Sequence, residues 1–216
     1  SPSGKLPMTW PVRYSDVSTY GNFPADGLYI PVFADGLDKY KNQKNVGYTL
    51  YEEGIYVGYR YFDSFKKQVS YPFGYGLSYT TFGYDKPMVS DKGETVEVSV
   101  KVTNTGKAEG KEVVQVYVTA PKGAVDKPAQ ELKAFAKTRL LAPGESQTLT
   151  MTVQKADLAS FNTKESAWIT DAGQYTFHVG ASSRNIKGSA TLKIGKTVRK
   201  VHDVLHPTMK FNEFKR

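Results

Sequence analysis

The chain has 216 residues, 39% of them hydrophobic, which suits one large or two small domains with a sizeable core. It holds no unbroken apolar stretch of membrane-spanning length, and its lack of cysteine excludes disulfides, thiolate metal sites and a cysteine nucleophile while leaving the redox compartment open. The net charge of +8 argues against a nucleic-acid face, because half of it lies in the last 22 residues as a solvated or docked basic tail.

In chain order, residues 1–12 read as a turn, a short strand around Leu6–Trp10 and a stop at Pro11. This strand has no visible partner. No leader pattern opens at Ser1, and no Asn-x-Ser/Thr acceptor occurs. Residues 13–47 show neither helical nor strand periodicity, and a loop of this length is usually functional, disordered or packed on something else. Phe23, Tyr29, Ile30 and Phe33 argue against disorder. The first 47 residues, a strand plus a long loop, thus read as the end of a domain whose beginning is missing.

Residues 48–86 form an aromatic segment, and the stretch Tyr48–Tyr84 holds 13 of the chain's 28 aromatic side chains. Rings bury large areas when they find partners, so a stretch this aromatic is expected to be clamped between two bodies. Within it, Glu53–Asp63 fits a helical face (Ile55, Tyr59, Phe62) and a strand (Ile55, Val57, Tyr59, Tyr61) equally well. Leu77–Tyr84 reads as a strand leading out.

From Pro87 the pattern is β. Glu94–Thr103 alternates, with Val96, Val98, Val100 and Val102 on one face, and ends in the turn Asn104-Thr105-Gly106. Val113–Val118 is a nearly continuous apolar run suited to a central strand. Gln130–Leu141 is more polar and closes on Pro143-Gly144. Leu149, Met151 and Val153 then alternate, as do Tyr175, Phe177 and Val179 after a turn at Asp171-Ala172-Gly173, and Ala190, Leu192 and Ile194 after them. About seven short strands with regular turns predict, for residues 87–194, an antiparallel β-sandwich of immunoglobulin or fibronectin type III kind, with both outer surfaces facing water. Residues 195–216 read as a basic tail, anchored by Val201, Leu205 and Phe211.

The segments PSGKLPMTWP (Pro2–Pro11), YEEGIYVGYRYFD (Tyr51–Asp63), YPFGYGLSYTTF (Tyr71–Phe82), VVQVYV (Val113–Val118), PAQELKAF (Pro128–Phe135), LAPGES (Leu141–Ser146) and WITDAGQYTFHVGASSRNI (Trp168–Ile186) follow one another in this order. Together they resemble the C-terminal part of family 3 glycoside hydrolases, the β-glucosidases and β-xylosidases. That resemblance implies a three-part enzyme: a TIM-like barrel, an α/β sandwich and a fibronectin type III-like domain, with this chain holding the end of the second and all of the third. It implies several hundred residues before Ser1, and export to the periplasm or the exterior. Its partners would be the catalytic domains of the same protein, through which carbohydrate substrate is met, with no nucleic acid and no membrane span.

Retaining glycosidases need two carboxylates about 5–5.5 Å apart. In the family resembled, the nucleophile is an aspartate of the barrel and the acid/base a glutamate upstream of this chain's first residue. The chain alone is therefore expected to be inactive, with no catalytic residue, cofactor or metal of its own. Glu52 and Glu53 are adjacent, point apart and cannot converge on one bond. Glu53, in the Tyr-x-Glu-Gly-Ile pattern, is expected to pair with Arg60 or cap a turn. Tyr51, Glu53, Arg60, Phe73 and Tyr75 are the expected interdomain residues, and Phe23 and Tyr29 the candidates for substrate contact. His178, His202 and His206 read as surface residues, since a metal pair at the last two lacks a third ligand and runs into Pro207. The competing function is a free-standing carbohydrate-binding or adhesion module with the same sandwich.

Overall fold

The valine alternation of Thr95–Asn104 (β5) is what the first sheet is built on. The computed structural model describes residues 1–20, 52–202, 204 and 214–216. Val96, Val98, Val100 and Val102 are all buried, while Lys101 faces solvent, as the period-two pleat requires. One edge of β5 pairs antiparallel with Ser146–Gln154 (β8), setting Val98 opposite Met151 and Val100 opposite Leu149. Its other edge takes Phe82–Tyr84 (β3) and Met88–Asp91 (β4) at successive positions. Asn104 ends the strand wholly buried. Its Oδ1 accepts from the Thr80 hydroxyl and the Gly106 N–H, and its Nδ2 donates to the carbonyls of Ala108 and Leu141. The side chain thereby satisfies its own polar atoms inside the fold.

The second sheet runs in the order Asn185–Ile194 (β12), Gly173–Ser182 (β11), Val113–Thr119 (β6) and Glu131–Lys137 (β7), antiparallel throughout. Tyr175, Phe177 and Val179 of β11 join Val114, Val116 and Val118 of β6 against the valines of β5 in one core. Two such sheets face to face are the antiparallel sandwich the patterning predicts. The expectation that both outer surfaces meet water fails at β6. Gln115 and Tyr117, which point outward, are 3% and 0% exposed. They lie under the aromatic segment, and this is why the run Val113–Val118 is apolar almost without alternation.

Five short strands escaped the periodicity: Val69–Tyr71 (β2), β4, Ser160–Asn162 (β9), Ala167–Thr170 (β10) and Thr197–Lys200 (β13), of which β2 pairs with the N-terminal strand described below. The last three form a small sheet ordered β13-β10-β9. What reads in sequence as the start of the tail is therefore a strand, pairing Trp168 with Arg199 and Thr170 with Thr197. Val201 remains exposed, and Leu205 and Phe211 lie outside the described residues. The contact comes instead from Phe214, whose N–H donates to the Glu52 carbonyl and whose ring meets Tyr61 and Phe65.

The N-terminal strand has a partner after all. It is Trp10–Pro11 (β1), paired antiparallel with Val69–Tyr71 (β2) some sixty residues on. Upstream of it the Leu6 N–H donates to the Tyr75 carbonyl, and the Leu6 carbonyl accepts from Gly74. Of the two templates for Glu53–Asp63 the helical one holds, over Tyr59–Ser64 (α1), with Phe62 buried and Ile55 and Val57 exposed. The strand expected over Leu77–Tyr84 is only its last three residues, β3. Among the described residues no helix is long and apolar enough to cross a membrane.

Candidate functional site

The aromatic segment has a sealed side and an open side. On the sealed side Tyr56 and Phe62 are buried, and Tyr59 stacks on Phe73 with centroids 4.6 Å apart while meeting the edge of Tyr117 on β6. The Tyr59 hydroxyl accepts from the Leu132 N–H of β7 at 2.8 Å, and Ser64 Oγ accepts from Ala129. Burial raises the Tyr59 pKa, so the hydroxyl stays protonated.

Polar side chains tie this side down. Gln115, the one polar residue inside the apolar run of β6, donates from Nε2 to the carbonyls of Gly74 and Ala181 and accepts the Tyr117 hydroxyl at Oε1. Gly74 sits at φ +80°, and a Cβ there would fall 2.0 Å from that Oε1, so the position admits only glycine. Arg184, in the β11–β12 turn, reaches across to α1. Its Nε donates to Asp63 Oδ1 at 2.6 Å and its Nη2 to the carbonyls of Phe62 and Lys67. A guanidinium over the last carbonyls of a helix is favourably placed against its dipole.

The open side begins at the N-terminal strand. Trp10 meets the edge of Tyr71 at 6.2 Å, and Tyr71 lies against Tyr75 at 5.0 Å. Trp10 is 50% exposed, Tyr71 43% and Leu77 68%. Met8 and Tyr79 are exposed as well. Gly76 lets the two backbones close up, since a Cβ there would stand 2.3 Å from the Gly4 carbonyl. Three rings in contact, two of them about half open to water, are a surface that single-domain proteins rarely leave uncovered.

The residues singled out from sequence fare differently. Phe73 and Tyr75 take part in the ring packing, one on each side. Arg60 pairs with Glu131 of β7 at 2.8 Å, not with Glu53 as expected, because α1 turns its first face toward the second sheet. Glu53 is buried, and its carbonyl accepts the Tyr56 N–H in a turn. Tyr51, Phe23 and Tyr29 lie outside the described residues. Sequence reasoning missed Trp10, Tyr71, Asp63 and Arg184. Gln115 carried the one visible signal, a polar residue amid valines.

Four carboxylates beside the segment are paired within the chain, while Glu53 Oε2 is buried with no partner among the described residues. Glu112 meets Lys5 at 2.8 Å, Asp63 holds Arg184, and Asp171 pairs with Lys127. Asp126 accepts from the Tyr56 hydroxyl at 2.5 Å and from the Arg216 N–H at 2.7 Å. Burial pushes its pKa upward, but these donors, the Lys127 N–H and the Arg216 charge outweigh that and hold it below the ordinary range. A general acid would need the opposite shift. His178 is half-buried between Ser189 Oγ and Thr119 Oγ1, and burial lowers its pKa, keeping it neutral.

Residues 112–183 match the fibronectin type III-like domain. The chain is 40% identical over 209 residues to β-glucosidase A of Butyrivibrio fibrisolvens, an alignment covering 87% of this chain and 23% of that protein. Among solved structures, β-glucosidase 3B from Thermotoga neapolitana in complex with α-D-glucose is 51% identical with a TM-score of 0.76, over 93% of this chain and 26% of that one. A β-glucosidase from Paenibacillus barengoltzii is 37% identical with a TM-score of 0.82, over 99% of this chain and 23% of that one. The chain thus spans about a quarter of the length of the relatives it matches.

Proposed function

We propose that this chain, the C-terminal portion of a family 3 glycoside hydrolase, is the non-catalytic part that braces the catalytic domains of a β-glucosidase. The observation that carries this reading is the open face of Trp10, Tyr71, Tyr75 and Leu77. It is apolar and pre-formed, and it is rigidly joined to a sandwich that has completed its own core. Burying such rings against a neighbouring domain returns about 25 cal/mol per Å² of apolar surface covered. The sealed side, through Tyr59, Phe73, Gln115 and Arg184, transmits that docking to the sandwich.

In this role the chain contributes no proton transfer and no nucleophile. The parent enzyme would release terminal β-linked glucose or xylose by a retaining mechanism, using two carboxylates carried by its other domains. The pairing of Glu112, Asp63, Asp171 and Asp126 within the chain supports that division of labour. Residues 1–47 would complete the α/β domain, and the whole would work in the periplasm or outside the cell. The test is an assay with a nitrophenyl β-glucoside. The pure 216-residue chain is expected to give no turnover, whereas the longer polypeptide containing it hydrolyses the substrate. Turnover by the 216-residue chain overturns the reading.

A further inference from the structure

The small sheet carries one row of side chains across all three of its strands. Arg199 of β13, Trp168 of β10 and Phe161 of β9 are successive cross-strand neighbours on one face. Ala167 and Ile169, which alternate with Trp168, point the other way and are buried. Trp168 and Phe161 are 39% and 40% exposed, with centroids 5.4 Å apart and planes inclined at 57°, so the two rings form a shallow notch. They line a groove of about 590 Å³ together with Arg60, Glu131, Lys133 and Asp157.

Three features of this groove point to one ligand chemistry. The Trp168 and Phe161 ring centroids stand 5.4 Å apart, close to the advance per sugar of an extended β-linked glucan. Indole and phenyl faces stack on the C–H faces of pyranose rings, which bury apolar area without leaving a hydroxyl unpaired. Cationic and anionic side chains balance around the groove: Arg60, Lys133 and Arg199 stand against Asp126, Glu131 and Asp157. A lining with no net charge gives a phosphate or sulfate no advantage, and it supplies both donors and acceptors to hydroxyls. One acceptor, the Glu131 carboxylate, is already oriented. Arg60 holds Glu131 at 2.8 Å, and Lys133 meets Glu131 at 3.3 Å while donating to the Asp157 carbonyl at 2.7 Å. Arg199 lines the same groove, and among the described residues its guanidinium has no hydrogen bond or ion pair.

We infer that this groove is a binding site for a neutral β-linked glucan chain, with Trp168 and Phe161 as stacking residues and Arg199, Glu131 and Asp157 as hydroxyl partners. The site draws on the small sheet, β7 and α1, and it does not depend on the docking role of the Trp10 face.

The test is titration of the isotope-labelled 216-residue chain with cellohexaose, followed by two-dimensional NMR. The chain has two tryptophans, so two indole N–H signals are seen, and Trp168→Phe assigns them. The expected result is saturable movement of the Trp168 indole and of amides in β9 and β10, with the Trp10 indole still. Trp168→Ala should weaken binding at least tenfold. Phe161→Ala, a milder change at the sheet edge, should also weaken it and keeps the test open if Trp168→Ala does not fold. Three results overturn the inference: no shift at millimolar cellohexaose, movement at Trp10 in place of Trp168, or tighter binding of a sulfated oligosaccharide than of cellohexaose.

Discussion

The sandwich core and the aromatic segment draw on similar stocks of apolar side chains and end in different states. The core of β5, β6, β8 and β11 is closed: Val96, Val98, Val114 and Val116 have no exposed surface. The segment is closed on one side only. Tyr59 and Phe73 are packed against Tyr117, whereas Trp10 and Tyr71, a few ångströms further out, remain half open to water. A region that has satisfied its own surfaces supports a fold. A region that has satisfied half of them leaves apolar rings uncovered.

That contrast can be broken first at its firmest point. Val116→Asp puts a carboxylate into the closed core, where an unpaired charge costs several kcal/mol against a typical margin of about 5–15 kcal/mol. Loss of the cooperative melting transition is expected. A soluble variant melting like the wild type would show that β6 does not face the core.

A paired substitution separates the two sides of the segment. Tyr59→Ala removes the ring stacked on Phe73 and leaves the Leu132 N–H without its acceptor, so a loss of about 3 kcal/mol is expected in denaturant unfolding. Trp10→Ala, on the open side, should stay within about 0.5 kcal/mol in the same chain. Equal losses at both positions would erase the distinction between sealed and open.

The smallest effect concerns the contact of the last residue with the sandwich. Asp126 titrates lower in the folded chain than in the unfolded one, so its stabilising effect is full above the ordinary aspartate range. It is lost as pH falls through the lowered value. The acid limb of the melting curve should therefore flatten in Asp126→Asn, and an unchanged limb would remove Asp126 from the account.

The sequence made the long strands legible because their period of two is written over nine or ten residues, as in β5 and β8. It hid β2, β9, β10 and β13 because three or four residues carry too little pattern, and their partners lie far off in sequence. Trp10 meets Tyr71 across sixty residues, and Arg184 reaches Asp63 across 121. No local rule reports such pairs. The segment's role as a packed element was readable from its density of rings. Which side would be sealed was not, because that depends on Gln115 and Tyr117 of a strand forty residues later, whose outward positions look ordinary until something covers them.

The most direct measurement of the central claim is hydrogen–deuterium exchange of the 216-residue chain alone and within the longer polypeptide. The account predicts that exchange slows in the larger protein at residues 4–12 and 69–79 and is unchanged in β5, β6 and β11. Equal exchange at those two stretches in both proteins would contradict it.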